Sequence, residues 1–322
     1  MMVPLQLERT HTSAMAEAVL RGLTQEPKAL PPWLFYDALG SELFEQITDL
    51  PEYYLTRTER SILEKNSGEI LDQAGHGLTL IELGAGTAAK TSILIEALLR
   101  RQLRVTFYPV DVSAAALAVA ESRLLKEFQG LTVRPLVGNY SQGLARLSGT
   151  PGRKLVLYIG SSIGNFEPEE ASQLLKTIRR SLRAGDALLL GTDMVKGAAL
   201  LHAAYNDAAG ITARFNLNLL ARIKGELRAN FNLERFRHVA EWNRHASRIE
   251  MYLESTREQI VRIADLDLRV RFLEGERIHT ENSYKFTAKM VQDVLSAGGF
   301  ELARSWTDPL KWFGVHLARV QT

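Results

Sequence analysis

Apolar residues recur along this chain with two different periods, and the change from one to the other divides it. From Leu78 onward, short apolar runs at 78–83, 104–110, 131–137, 153–159 and 187–192 alternate with stretches at 88–101, 113–128 and 167–183 of helical spacing. Such alternation predicts a mostly parallel sheet covered by helices, with a ligand beyond the carboxyl ends of the strands. Past Asp193 the alternation stops. Residues 197–236 read as helical and rich in Asn (Asn206, Asn216, Asn218, Asn230, Asn232), and 248–253, 259–263 and 267–272 alternate polar and apolar, the period of antiparallel strands with one wet face. The segment 276–286 then leads to a helix at 288–298 and a closing pair of strands around 302–306 and 312–317. A chain that leaves its sheet and returns to finish it carries an inserted second module. Ahead of the sheet, the pattern predicts a helix over 13–23 with Ser13 as its N-cap, and Pro27, Pro31 and Pro32 interrupt it. An aromatic-rich stretch at 33–54 (Phe35, Tyr36, Phe44, Tyr53, Tyr54) and a helix over 56–70, with Ile62, Leu63 and Ile70 facing inward, follow.

The first strand ends in the most informative stretch, LTLIELGAGTAAK from Leu78 to Lys90. The strand breaks at Gly84 and Gly86, and a helix is expected from Ala88 onward. Glycines let the main chain approach a ligand closely, and a helix start presents unpaired N–H groups. Three ligands compete for this turn. Gly84 through Ala89 fits the dinucleotide fingerprint; Gly84 through Thr91 misses a phosphate-binding loop only by Ala89 in place of the last glycine; and Glu82 on the strand suits an S-adenosylmethionine (SAM) cradle. The later strand ends narrow the choice. Asp111 stands where a ribose-binding acid belongs, 29 positions beyond Glu82, although an Asp just before a helix also serves as a cap. Asn139 and Tyr140 end the third strand, where an amide can pair with an adenine edge or simply shape a turn. The fourth ends in the uncharged Gly160–Phe166 loop, without the catalytic His, Lys or Tyr of a dehydrogenase. Asp193, with Lys196 after it, keeps a nucleotide hydrolase open.

Composition removes several classes. The 39 Lys and Arg against 37 Asp and Glu leave no cationic excess for nucleic acid. The absence of cysteine removes disulfides, thiolate nucleophiles and thiolate metal sites, and it suits a reducing cytoplasm. The seven histidines form no metal-spaced pair, so no metal is expected. No apolar run approaches the roughly 18 residues of a membrane helix, and the first residues lack the pattern of a signal peptide.

Taken together, the stretches FYDALGSELFEQITDLPEYY, ELGAGTAAKT, PVDVS, SSIGNFEP, LLLGTDMVK, AYNDAAGITARFNLNLL, RIEMYLE, HTENSYKF and WTDP resemble the SAM-dependent histidine Nα-methyltransferases of ergothioneine biosynthesis, and they span nearly the whole chain. The resemblance implies an α/β fold: a Rossmann-like class I methyltransferase sheet with an inserted α+β substrate-binding domain. Its expected organisation is an N-terminal segment 1–60 contributing to the substrate domain, a SAM-binding core 61–196, a substrate insertion 197–286, and 287–322 completing the core.

The resemblance also implies roles. Cofactor contacts fall on Tyr36, Gly84, Lys90, Asp111, Asn139 and Tyr140, with Gly86 joining them from the turn itself. Histidine contacts fall on Tyr53, Asn165, Tyr205, Met251, Glu281 and Ser283, with Asn165 and Tyr205 on the amine and carboxylate and Glu281 and Ser283 on the imidazole. Asn165 and Tyr36 are the candidate catalytic residues, Tyr36 as a proton relay. One departure stands out: the family carries Asp-Phe or Asp-Tyr where this chain has Asn139-Tyr140, which predicts an altered SAM affinity. The expected activity is transfer of three methyl groups to the α-nitrogen of L-histidine by a cytoplasmic monomer. The alternatives are methylation of another aromatic amino acid, such as a tryptophan derivative, and a non-catalytic module binding histidine or SAM.

Overall fold

The computed structural model describes residues 4–147, 150 and 152–320. Along the chain, helix α1 is Pro4–Thr24, α2 (Ala38–Thr48) follows one 3-10 turn at Pro32–Phe35, and α3 is Tyr54–Ala74. Then come β1 (Leu78–Leu83), α4 (Thr91–Leu99), β2 (Val105–Asp111), α5 (Ala114–Glu127), β3 (Leu131–Val133), β4 (Leu136–Val137), α6 (Tyr140–Leu147), β5 (Arg153–Tyr158), α7 (Pro168–Arg180) and β6 (Ala187–Asp193). Helices α8 (Ala198–Tyr205) and α9 (Ile211–Glu226) lead to β7 (Phe236–Asn243), β8 (Arg248–Ser255), β9 (Gln259–Ile263), β10 (Leu268–Phe272) and β11 (Arg277–Tyr284). The last elements are α10 (Ala288–Ala297), β12 (Phe300–Thr307) and β13 (Phe313–Val320).

The chain divides into two compact units, one of Met1–Tyr53 with Gly197–Ser283, the other of Tyr54–Lys196 with Tyr284–Thr322. The second unit holds an eight-stranded sheet ordered β12-β13-β6-β5-β1-β2-β3, with β4 also on β2. β1 pairs in parallel with both β2 and β5, so the strand order reverses direction on either side of it. That reversal opens a crevice at the carboxyl end of β1, where open α/β sheets bind ligands. β1 is buried at all six positions and β6 at all seven, as central strands covered on both faces require. Only β13 runs against the others, antiparallel to both β6 and β12. This is the class I methyltransferase sheet. In the first unit, β7 pairs antiparallel with β8 and β11 lies on the other side of β8, while β9 and β10 form a separate antiparallel pair.

Several elements depart from the sequence pattern for local reasons. The first helix begins at Pro4 rather than after Ser13, because proline is tolerated in a first helical turn and the residues behind it are good helix formers. The side chains of His11 and Ser13, and the first three residues with the signal-peptide expectation, lie outside what the structure describes. Helix α4 starts at Thr91 and not at Ala88, whose φ of 52° is left-handed. The run 131–137 splits into β3 and β4 around Arg134-Pro135, a proline being unable to donate to the ladder. The helical stretch from 197 breaks before α9, where the Asp207 carboxylate accepts from the amides of Ile211 (2.9 Å) and Thr212 (2.8 Å). It ends at Glu226, and Phe236 opens β7, a strand the periodicity did not reveal.

Candidate active site

The β1 turn is shaped by three left-handed residues, with φ of 74° at Gly84, 50° at Gly86 and 52° at Ala88. Gly84 and Ala85 both donate to the Val110 carbonyl, at 2.8 and 3.1 Å, which bends the turn across the end of β2. Asp111 then clasps it: one carboxylate oxygen accepts from Gly86 N at 2.8 Å and the other from Ser113 N at 2.8 Å. The capping role falls to Ser113, whose hydroxyl accepts from Ala116 N. Asp111 is therefore fixed and aimed by backbone amides beside the turn.

Tyr140 reaches the same turn, since a Cβ at Gly84 would lie 3.2 Å from its hydroxyl. Its ring stands edge-on to Tyr158 with centroids 5.4 Å apart, and burial pushes its phenol above the usual range. Asn139 caps α6: its side-chain oxygen accepts from Gln142 N at 2.9 Å while its own N–H donates to Gln142 Oε1. A carbonyl oxygen has two lone pairs, so the cap leaves one for another donor.

Lys90, the last residue before α4, is ion-paired to Glu59 of α3, a side chain with no solvent exposure. Both carboxylate oxygens of Glu59 also accept from Gly160 N, at 2.9 and 3.0 Å. Beyond Gly160, Ser161 takes a left-handed φ of 61°, and a 3-10 turn at Ser162–Asn165 places Asn165, half-buried, at its end. Asp193 is held by neighbouring side chains. Its carboxylate accepts from the Tyr54 hydroxyl (2.8 Å) and pairs with Lys285 (3.0 Å) and Lys196. Burial lowers the Lys196 ammonium to about 8, against the pull of Asp193. No cluster of three metal-ligating groups occurs among the described residues.

The first unit holds five of the predicted histidine contacts, of which Tyr53, Tyr205 and Ser283 are joined, while Asn165 belongs to the second unit. Tyr53 stands edge-on to Tyr205 (6.3 Å) and to Phe44 (6.4 Å), and Phe44 in turn to Tyr36 (5.8 Å). The Tyr205 hydroxyl and Ser283 Oγ share a hydrogen bond of 2.7 Å. His238 bridges the Tyr205 carbonyl (2.8 Å) and the Asn216 amide (2.8 Å), an arrangement suited to a neutral ring, and burial lowers its pKa. Met251 on β8 and Glu281 and Ser283 on β11 are buried on neighbouring strands, with Thr280 Oγ1 donating to the Met251 carbonyl at 3.1 Å.

The turn passes two tests for a nucleotide-like group. Gly84 is a cradle in which a β-carbon would crowd Tyr140, and the buried polar atoms Glu82 Oε2 and Thr91 Oγ1 beside it have no hydrogen-bond partner among the described residues. Burial pushes the Glu82 carboxyl up to about 8, which the charge of Lys90 offsets only in part. With Asp193 held by two ammonium groups, the acid that the metal of a phosphate-binding loop would need is already engaged.

The profile of the family described as histidine-specific methyltransferase, SAM-dependent, matches residues 15–320. This chain belongs to that family. A histidine N-alpha-methyltransferase of Mycolicibacterium smegmatis is 46% identical over 305 residues, covering 95% of this chain and 94% of the relative. An ergothioneine biosynthesis protein 1 of Neurospora crassa is 31% identical over 297 residues, covering 90% of this chain but 33% of that longer protein. A 4-dimethylallyltryptophan N-methyltransferase of Claviceps purpurea is 26% identical over 325 residues, covering 92% of each. Membership makes the chain a SAM-dependent enzyme and removes the nicotinamide and hydrolase readings of its glycine turn. Two groups escaped the sequence reading: Glu59, one acid among many on a charged helix, and Lys285, whose only signal was its place in HTENSYKF. No described helix is long and apolar enough to cross a membrane.

Proposed function

We propose that the protein methylates the α-nitrogen of L-histidine with SAM, three times in succession, to supply the trimethylated betaine used in ergothioneine biosynthesis. The observation that carries this reading is the joined group of Tyr53, Tyr205 and Ser283 with buried Glu281 on the same strand as Ser283, in a chain of the histidine-specific family. Hydrogen-bonding groups buried in one place favour a polar ring over an apolar one, because a substrate lacking the matching N–H would leave them unpaired.

SAM brings a methyl already activated on a sulfonium, so the chain's work is to bind, align and exclude water. Asp111 takes the ribose hydroxyls, and the Gly84–Gly86 turn lets the backbone approach, with Asn139 and Tyr140 on the base. Glu281 and Ser283 grip the imidazole, and Tyr53 and Met251 pack against it. Tyr205 and Asn165 orient the carboxylate and amine. The amine must be neutral to attack, and an α-amino group has a pKa of about 8 or above, so it sheds a proton first. Tyr36 is the candidate relay for that proton. SAM would supply each methyl to the nitrogen lone pair and leave as S-adenosylhomocysteine, and the residues around the amine would let it shed a proton before each transfer. Holding the substrate by ring and carboxylate leaves the amine free to turn between transfers. The proposal includes a monomeric enzyme in the cytoplasm; light scattering at twice the mass of one chain would overturn the monomer.

A direct test compares S-adenosylhomocysteine release with histidine, N,N-dimethylhistidine and 4-dimethylallyltryptophan as substrates. Release with both histidine compounds supports the proposal, and release with the tryptophan compound alone overturns the substrate.

A further inference from the structure

Glu59 is a buried carboxylate that the reaction as described does not use. Glu59 lies inside the second unit with no solvent exposure, reached from helix α3. Its surroundings are built for it. Gly160 donates its N–H to both oxygens, and Gly191 on β6 leaves the room, because a β-carbon there would fall 2.1 Å from Glu59 Oε1. The Lys90 ammonium completes the set, and it also lies over Gly160, 3.3 Å from where a β-carbon would stand. Glu59 thus ties the turn after β1 to the loop after β5, the loop that ends in Asn165.

The pair is asymmetric. Glu59 is wholly covered while the Lys90 side chain keeps a fifth of its surface exposed at the ligand end of β1. An ammonium has three donors, so one bond to Glu59 leaves others to face outward. SAM carries no phosphate, and its one anionic group is the methionine carboxylate. A lysine held at the β1 turn by a buried counter-charge suits that carboxylate. Removing one partner of a buried pair leaves the other charge uncompensated, so a lysine without Glu59 is driven out toward water and away from the ligand.

We propose that Glu59 is a positioning residue that anchors Lys90 for the aminoacyl carboxylate of SAM and locks the Gly160 amide beside it. The inference rests on the assignment of SAM to the β1 turn, and its test separates the two. Calorimetric titration uses S-adenosylhomocysteine, which has the carboxylate, and 5′-methylthioadenosine, which lacks it. Binding of neither by the unaltered protein would sink the cofactor assignment itself. If the proposal holds, Glu59→Gln binds S-adenosylhomocysteine about tenfold or more weakly while its affinity for 5′-methylthioadenosine stays within about twofold. Lys90→Met produces the same selective loss, and the double variant loses no more than either single one. Equal losses for both ligands, or losses that add in the double variant, would overturn the proposal and leave Glu59 as a fold residue. Should Glu59→Gln fail to fold, Lys90→Met alone decides: an unchanged ratio of the two affinities rejects it.

Discussion

Asp111→Asn is the perturbation whose outcome the geometry fixes most closely. The carboxylate accepts two backbone N–H groups, from Gly86 and Ser113, both at 2.8 Å and on different oxygens. An asparagine has one oxygen, so one of the two amides loses its acceptor and meets an NH2 group instead. A hydrogen bond to a charged group contributes about 1.5–3 kcal/mol, and the facing donors add a further cost. The proposed contact with the ribose hydroxyls would at the same time lose an acceptor oxygen. The combined effect on the ligand should reach about 2–3 kcal/mol, or roughly 30- to 150-fold in affinity. Isothermal titration with S-adenosylhomocysteine reads this, with thermal unfolding to confirm that the variant folds. An affinity within about threefold of the unaltered protein would refute the reasoning, because neither the clasp on Gly86 nor the ribose contact would then matter.

Replacing Glu281 by Ala should raise the KM for histidine at least about tenfold and leave that for SAM within about twofold; equal changes would make Glu281 structural. Glu82 makes a pH prediction. Its folded pKa of about 8 lies above the ordinary carboxylate value of 4.5, so its contribution to stability is fully present below about pH 4.5 and is lost as pH rises toward 8. In urea unfolding, stability relative to Glu82→Gln should therefore fall between pH 5 and 8, and a flat difference would contradict the shift. Tyr205→Phe removes a buried hydroxyl bonded to Ser283 and should cost about 1 kcal/mol of stability together with a higher KM for histidine; an unchanged KM would detach that bond from the substrate.

Much of the sheet was legible because its central strands β1 and β6 are short and buried throughout. The run 78–83 became β1 without change, since an unbroken apolar run ended by two glycines admits little else. The closing pair of strands β12 and β13 was likewise visible in the chain's last apolar runs, though not its antiparallel pairing. What stayed hidden depended on distance or mixed patterns. β7, FRHVAEWN, buries only two of its eight positions, so neither period stands out. Helix α6 was missed because its cap is a reciprocal bond between Asn139 and Gln142, which sequence shows only as a turn. At the site, Asp111 could be named from its spacing, but not that it would clasp Gly86. Glu59 acts on residues 31 and 101 positions away, and a pairing at that range leaves no periodic trace in a single chain.

The most direct measurement incubates the protein with SAM and each of the twenty amino acids in turn and weighs the products by mass spectrometry, with fragmentation to place the methyl groups. The account predicts that histidine gains one, two and finally three methyls, all on the α-nitrogen. Methyls on the imidazole ring, on another amino acid instead, or on none would contradict it.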